Sequence, residues 1–404
     1  MAEPMTQPTA GAPPLRVLMV IGQFNPIIGG AEKQAEKLAR ALIALGVDVG
    51  VVTFAVKGAP RREIVGGVHV SRVGVLPAIR GGRLKLWVYL LQLFIFLIRR
   101  RRRYDILHAH LALAPALAAA LAAKILKKPC IVKIGNTGER FDLLTLKNTF
   151  TAGPAMARSL ARSASAFIAT SAAAAEHLLE FGVPRESVRL IPNGVEILPP
   201  RESPTCPAGQ TSLPQLKSRL GLPPDRLVVL FAGTLHKKKN TLRLLDACAA
   251  LKDRRNGFLL VILGDGAMRR ELEKKIASTG LREHCWIMGF VTNVEHWLAA
   301  ADAFVLPSLV EGFPNALLEA MAAGLPCAAS DLPGCRELIS NGDNGLLFDP
   351  LDTADVARKI AELLDDPNLR KRLGDAARAA AREKFSIAAV ADSYVSLYNS
   401  LVKR

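Results

Sequence analysis

Leu306-Pro-Ser-Leu-Val-Glu311-Gly-Phe-Pro-Asn-Ala-Leu-Leu-Glu319 sets two carboxylates eight residues apart around a Gly-Phe-Pro-Asn turn that opens an apolar helix. Such a turn leaves backbone N–H groups unpaired at a helix N-terminus, a seat for a diphosphate. Further into the helix, Glu319 can accept from both hydroxyls of a ribose, while Glu311, before the turn, can reach a sugar. One segment can thus hold three parts of a nucleotide sugar. The spacing alone fits equally well a buried helix, Asn315 to Met321, flanked by two solvated acids. The surrounding chain has to decide.

Outward from this segment the chain alternates apolar runs with helical stretches. In the C-terminal half the strand candidates are Leu227–Gly233, Phe258–Gly264, Cys285–Met288, Ala303–Leu306 and Pro326–Ser330. Helix candidates at Thr241–Lys252, Met268–Ser278, Val294–Ala300 and Asn315–Ala323 lie between them, and the tail from Asp352 is helical in composition. The N-terminal half repeats the pattern, with strands expected at Arg16–Gly22, Val47–Phe54, Val68–Val73, Tyr104–His108, Cys130–Ile134, Ala166–Thr170 and Val188–Ile191. Its helices are expected at Ala31–Leu45, Leu84–Arg102 and Leu111–Leu126. Strands apolar throughout and separated by helices predict parallel sheets covered on both faces. Seven prolines between 196 and 225 predict a linker. Two tandem α/β domains predict a ligand cleft at the carboxyl ends of their strands.

The length of 404 residues fits two or three domains. Six cysteines without Cys-x-x-Cys pairing or zinc spacing read as free thiols of a reducing compartment. Residues 1–14 carry four prolines and no basic residue, so a disordered leader is expected rather than a secretory signal. The expected location is the cytosol. Charge is uneven: residues 1–195 hold 26 Lys and Arg against 11 Asp and Glu, a net +15 of the chain's +17. A basic half of this kind suits nucleic acid, anionic lipid or an acidic substrate.

Phe231-Ala-Gly-Thr-Leu-His-Lys-Lys-Lys-Asn240 follows a strand and opens a helix, so Gly233 allows close backbone approach and a lysine can neutralise a phosphate. Gly264-Asp-Gly266 reads as a turn, and Gly29-Gly30 as a phosphate-type turn without the third glycine of the dinucleotide fingerprint. Together with Leu306-Pro-Ser308, Glu311–Glu319 and Asn341-Gly-Asp-Asn-Gly345, these stretches resemble the family 4 glycosyltransferases in order and spacing. The N-terminal half is similar to the same family at Gly29-Gly30-Ala-Glu, Asp105-Ile-Leu-His-Ala-His110 and Ile191-Pro-Asn-Gly-Val195. The resemblance runs over about residues 15 to 390, and its most specific part is the Glu-x7-Glu segment.

The resemblance implies a GT-B fold, α/β in class: two Rossmann-like doubly wound domains facing across a cleft. An acceptor-side domain is expected at 15–198, a linker at 199–225 and a nucleotide-sugar domain at 226–385. A final helix in 386–404, Ile387–Leu401, would return to the first domain. It further implies a retaining hexosyltransferase using a nucleotide sugar, UDP-linked by expectation. Glu319 would bind the ribose and Glu311 would face the transferred sugar. Lys239 would contact the diphosphate, with Gly29 and Gly30 approaching it from the other domain. Phe313, Pro314 and Asn315 would offer backbone donors, and Gly233, Thr234 and Phe290 would complete the donor site. His110 would lie near the reacting face, while His108 reads as structural. Many members carry arginine where this chain has Thr234, a place that Lys237 or Lys238 can compensate. The chain contains no Asp-x-Asp, so no metal or other cofactor is expected, and Lys239 with a helix N-terminus would stabilise the departing diphosphate.

Trp87-Val-Tyr-Leu-Leu-Gln-Leu-Phe-Ile-Phe-Leu-Ile98 runs into Arg99, Arg100, Arg101, Arg102 and Arg103. Twelve residues fall short of the ~20 that span a bilayer. An apolar helix with a basic end can instead lie in the interface, or be a core helix whose end is solvated. The membrane reading predicts a peripheral protein at the inner face of a bacterial membrane with a glycolipid or growing glycan as acceptor. Nucleic acid is not expected, because only 22 residues are aromatic and no stacking motif is present. Two alternatives stay open: a sugar-nucleotide epimerase of the same fold, and a non-catalytic protein that binds nucleotide sugar or membrane.

Overall fold

A computed structural model describes residues 13–27, 29–74, 82–136, 141–150, 152–197, 213–253 and 257–402. Residues 1–12 of the expected leader and 199–212 of the expected linker lie outside the described residues.

Apolar runs of three to seven residues form two sheets. The first contains β1 (Arg16–Val20), β2 (Asp48–Phe54), β3 (Arg62–Val65), β4 (Val68–Val73), β5 (Ile106–His110), β6 (Cys130–Lys133), β7 (Ala166–Ala169) and β8 (Val188–Leu190). Their order is β3-β4-β2-β1-β5-β6-β7-β8, and every pair is parallel except β3 with β4. The second contains β9 (Leu227–Ala232), β10 (Phe258–Leu263), β11 (Cys285–Gly289), β12 (Ala303–Leu306), β13 (Cys327–Ser330) and β14 (Leu346–Phe348), all parallel, in the order β11-β10-β9-β12-β13-β14. Helices cover both faces, so β5, β6, β7, β10, β12 and β13 are buried along their whole length. That double burial is why these strands read as unbroken apolar runs rather than alternating ones.

Each sheet reverses its winding direction beside its first strand, between β1 and β5 and between β9 and β12. A crevice opens at the carboxyl ends of strands at such a point. His110 ends β5, and the Glu311 turn follows β12, so the topology brings both to crevice mouths.

Several elements differ from the sequence expectation. β3 was not expected, although Val65-Gly-Gly-Val68 carries a hairpin signal: Gly66 and Gly67 have φ of 55° and 85°, and Val65 pairs with Val68. β14 was missed because three residues between turns give no period. β5 runs two residues beyond the expected end, and the expected helix 84–102 is Gly82–Arg99 followed by a 3-10 turn at Arg101–Arg103. The expected linker holds a helix, Leu213–Arg219, whose Leu216 is buried in the second core. The helices Asp142–Thr149, Gly153–Ser163 and Ala172–Glu180 also went unread. Cys130, Cys248, Cys285, Cys327 and Cys335 are buried free thiols.

The chain passes twice between the domains at one place. Helix Pro367–Phe385 stops at Ser386, whose hydroxyl caps the next helix, Ile387–Leu401, by accepting from Ala389 N. There Val195 N donates to Phe385 O (2.8 Å) and Ile387 N to Val195 O (2.8 Å). The last helix then packs on the first domain, burying Val390, Ala391, Tyr394, Leu397 and Tyr398 in the core built on β1 and β2. This is the expected return of the chain.

A Cβ on Gly194 would meet Ile387 Cα at 2.9 Å and Cδ1 at 2.5 Å, so backbone would have to shift. Gly194→Ala is expected to cost about 1–3 kcal/mol, the usual scale of overpacking, read as a lower urea midpoint with unchanged far-UV circular dichroism. An unchanged midpoint would show that the crossing yields freely.

Candidate active site

Two helices face each other across the cleft. On the first domain, helix Gly30–Ala44 starts at the Gly29-Gly30 turn after β1. On the second, helix Asn315–Ala322 starts at the turn after β12. Between them lies a hollow of about 660 Å³ lined by both domains. Gly29, Gly30 and His110 line it from the first domain, and Gly233, Thr234, Lys239, Phe290, Glu311, Phe313, Pro314, Asn315 and Glu319 from the second. All the residues singled out for donor binding and chemistry therefore share one cavity. Lys238 lines it too, beside Thr234, whereas Lys237 does not.

Backbone contacts fix the second-domain wall. Gly264 (φ 135°) and Gly266 (φ 158°) lie so close to the β9 loop that a Cβ would fall 2.0 Å from Gly233 O and 2.4 Å from Leu235 O. What reads as a plain turn in the sequence is thus a backbone-on-backbone contact that admits no side chain. Lys237–Lys239 form a 3-10 turn closed by Asn240 in the left-handed region (φ 53°). Leu309 N donates to Lys238 O (2.8 Å), stitching this turn to the loop that carries Glu311. Gly334 underlies the same loop, where a Cβ would sit 2.4 Å from Glu311 O.

The charged groups are paired in ways the sequence did not reveal. Lys239 Nζ donates to Glu311 Oε1 at 2.5 Å, and Ser308 Oγ donates to the same oxygen at 2.6 Å. Glu319 Oε1 accepts from Lys37 Nζ across the cleft at 2.7 Å. Asn193 Nδ2 donates to Asn315 Oδ1 at 2.8 Å, also between domains. One expectation needs correcting. Pro314 has no N–H, so it is no donor: it is the N-cap, its carbonyl accepting from Leu318 N. The N–H groups that open the helix on the cleft are those of Asn315 and Ala316, which both line it.

At the end of β5, His108 and His110 stack with ring centroids 4.2 Å apart. His108 is fully buried and its Nδ1 lies 2.8 Å from the Tyr398 hydroxyl on the last helix, in keeping with its structural reading. His110 lines the cleft with Nε2 lacking any hydrogen-bond partner. Burial, then the charge of Lys133, holds its pKa down to about 3, and burial with the same neighbours keeps that of His108 well below its ordinary value. Both imidazoles are neutral at physiological pH. Beside them, Asp142 accepts from Gly135 N (2.8 Å), Asn136 Nδ2 (2.8 Å) and Ala112 N (3.2 Å), pinning the loops after β5 and β6. Burial raises its pKa against those bonds.

Lys37, Asn193, Lys133, Asn136 and Asp142 were not read from the sequence. Lys37 carried a signal, because Gly30, Lys33, Gln34 and Lys37 fall on one helix face. Asn193 lay inside the quoted Ile191–Val195 motif. Among the described residues, no group of three or more His, Cys, Asp or Glu converges as a metal site requires.

A family model described as Glycosyl transferases group 1 matches residues 214–380, and one described as Glycosyltransferase Family 4 matches residues 28–197. The chain belongs to the family 4 glycosyltransferases. Its membership decides for the transferase against the epimerase and the non-catalytic alternatives. It is 33% identical over 189 residues to the alpha-D-kanosaminyltransferase of Streptomyces kanamyceticus, a match covering 46% of this chain and 49% of that protein. To the 2-deoxystreptamine glucosyltransferase of the same organism it is 28% identical over 359 residues, covering 83% and 89%. The fold of this family 4 chain is like that of Anabaena HepE, solved in complex with UDP and glucose, with a TM-score of 0.76 at 22% identity, covering 96% and 100%.

The neutral histidine pair has a pH consequence. In the unfolded chain both take a proton near 6.5, whereas folded His110 does so only near 3. Between those values the unfolded state binds more protons, so stability falls as pH falls, by up to about 1.4 kcal/mol per unit for each group. Urea unfolding at pH 7, 6 and 5 should show this decline, and it should shrink in His108→Asn. A flat profile would mean that the folded pair accepts a proton.

Proposed function

We propose that this family 4 glycosyltransferase moves a sugar from a UDP-linked donor to a membrane-held glycolipid or polysaccharide, retaining the donor's anomeric configuration and using no metal. The observation that carries the reading is the convergence of Lys239, the start of helix Asn315–Ala322, Glu311 and Glu319 on one cavity. The leaving diphosphate gains negative charge as the glycosidic bond breaks, and an ammonium with backbone N–H groups is suited to stabilise it. Lys239 is held in place by Glu311 and offers its remaining N–H donors to the diphosphate when the donor enters. Glu319 exchanges Lys37 for the ribose hydroxyls.

Glu311 has one oxygen held by both Lys239 and Ser308, and a carboxylate so bound is a weak nucleophile. That favours attack of the acceptor hydroxyl on the same face that the diphosphate leaves, its proton passing to the departing phosphate oxygen. The anomeric configuration is kept without a covalent intermediate. His110, neutral and with Nε2 unpartnered, is placed to hydrogen-bond a hydroxyl of the transferred sugar.

The membrane part rests on the first domain. Helix Gly82–Arg99 buries Tyr89, Leu90, Leu93 and Leu97 but exposes Trp87, Leu91 and Ile95, one stripe at helical spacing. Arg99, Arg101, Arg102 and Arg103 are exposed at its end, with Arg100 half-buried. Burial first, and then the charges of Arg103 and Arg62, lower the pKa of Arg100; the second part is a repulsion that anionic headgroups would relieve. Among the described residues no helix is long and apolar enough to cross a membrane.

Thermal shift against UDP, GDP and ADP tests the donor site. UDP should stabilise the protein with or without EDTA, and Glu319→Ala should abolish the shift; EDTA-sensitive stabilisation would overturn the metal-free reading. Lys239→Ala should lower turnover about a hundredfold, since one such group is worth about 3–4 kcal/mol of barrier; near-normal turnover of the folded variant removes it from the mechanism. Vesicle flotation tests the surface: binding to anionic but not zwitterionic vesicles is expected, lost in a Trp87→Ser, Leu91→Ser, Ile95→Ser triple variant. No flotation at moderate salt would discard it.

A further inference from the structure

Lys133 ends β6, is 6% exposed, and lines the cleft next to Gly135 and Asn136. Among the described residues the acid next to this loop, Asp142, is engaged elsewhere, accepting from Gly135 N, Asn136 Nδ2 and Ala112 N. From β5 Lys133 faces His110 and His108, both neutral, and from the last helix the ring of Tyr394, 5.8 Å from Nζ. Among the described residues no carboxylate forms an ion pair with it. Burial holds its pKa down to about 8, so it is still cationic near neutral pH. Two other lysines at this site are placed differently: Lys239 has Glu311 and Lys37 has Glu319.

A buried ammonium without a counter-charge is costly to the folded protein, and a ligand that brings the charge removes that cost. The diphosphate has its own seat on the second domain, at Lys239 and the start of helix Asn315–Ala322. Lys133 belongs to the opposite wall, beside His110. We propose that Lys133 is the counter-charge for an oxyanion, a phosphate or carboxylate, carried by the substrate that enters against the first domain, so that the acceptor is anionic. This rests on the transferase reading above. Lys133 is then a determinant of acceptor choice. The basic excess of the N-terminal half would draw such an acceptor towards the cleft.

The experiment is a calorimetric titration of inorganic phosphate into the protein saturated with UDP, and again with UDP-glucose, for the native chain, Lys133→Arg and Lys133→Met. Phosphate should bind the native protein and Lys133→Arg under both conditions and at least tenfold more weakly to Lys133→Met, with UDP affinity unchanged within twofold. Equal phosphate affinity in Lys133→Met overturns the proposal. Absence of phosphate binding to the UDP-saturated native protein overturns it as well. Binding seen with UDP but lost with UDP-glucose assigns the anion to the transferred sugar and overturns the acceptor assignment. Failure of UDP itself to bind any variant would fall on the donor reading, while phosphate binding that depends on Lys133 would still support this one.

A second measurement needs no ligand. Folded Lys133 loses its proton near 8 and the unfolded chain near 10.5. Between those values the unfolded chain binds the extra proton, so stability rises with pH. Lys133→Met should therefore melt higher than the native protein at pH 7, with the difference shrinking as the pH is raised above 8. A lower melting point with intact secondary structure would mean that the ammonium is already satisfied, and would overturn the proposal.

Discussion

The short stretch Asn193-Gly-Val195 is where the two domains are tied, and the rest of the site depends on it. Val195 exchanges backbone bonds with the chain on either side of Ser386, while two residues away Asn193 bonds Asn315 at the mouth of the donor helix. Gln34, on the first helix of the first domain, donates to Gly194 O at 3.1 Å. One loop therefore touches the returning helix, the first-domain wall and the second-domain wall. A motion that opens the cleft has to break or pivot about these bonds, which makes them the natural hinge for a domain closure.

Charge placement follows from the same geometry. Glu311 and Lys239 come from loops after β12 and β9, neighbouring strands in the sheet, so their pairing is fixed within one domain. Lys37 and Glu319 come from different domains, and their pairing exists only while the cleft is narrow. In the proposed reaction the first pair holds Lys239 ready for the diphosphate; the second links closure to the proposed ribose contact at Glu319. Side chains in both pairs are largely buried, with only 11–16% of the first and 21–23% of the second exposed. Their exchange is favourable only for a ligand that brings matching charge or hydrogen-bonding groups.

The fold was legible because parallel strands buried on both faces leave short apolar runs that recur between helical stretches. Helices with weak contrast, such as Asp142–Thr149, were not legible, since eight residues with a buried acid beside buried Leu143 and Leu146 give little amphipathic period. The second-domain wall was legible because its contacts come from short, contiguous motifs: Glu311 to Glu319, and Gly233 to Asn240. The first-domain wall was not. Its residues Lys133, Asn136 and Asp142 end or follow one strand without forming a motif, and Lys133 meets His110 only because β5 and β6 are neighbours. A lysine ending an apolar strand looks like a solvated strand end until the last helix is seen to close over it.

The backbone of the loop after β9 is packed against Gly264 and Gly266, but Thr234 itself is exposed on the cleft, so nothing in the packing explains why it stands in place of arginine. Cationic charge is instead carried one turn later, where Lys237–Lys239 wind into a 3-10 turn that Asn240 closes by donating to Pro350 O at 2.8 Å. In that turn Lys238 and Lys239 both reach the cleft. Two ammonium groups on a stiff turn can supply the charge that a lysine and an arginine supply elsewhere. They do so without the guanidinium's planar fork, so phosphate geometry is left to the N–H groups of the helix at Asn315 and Ala316.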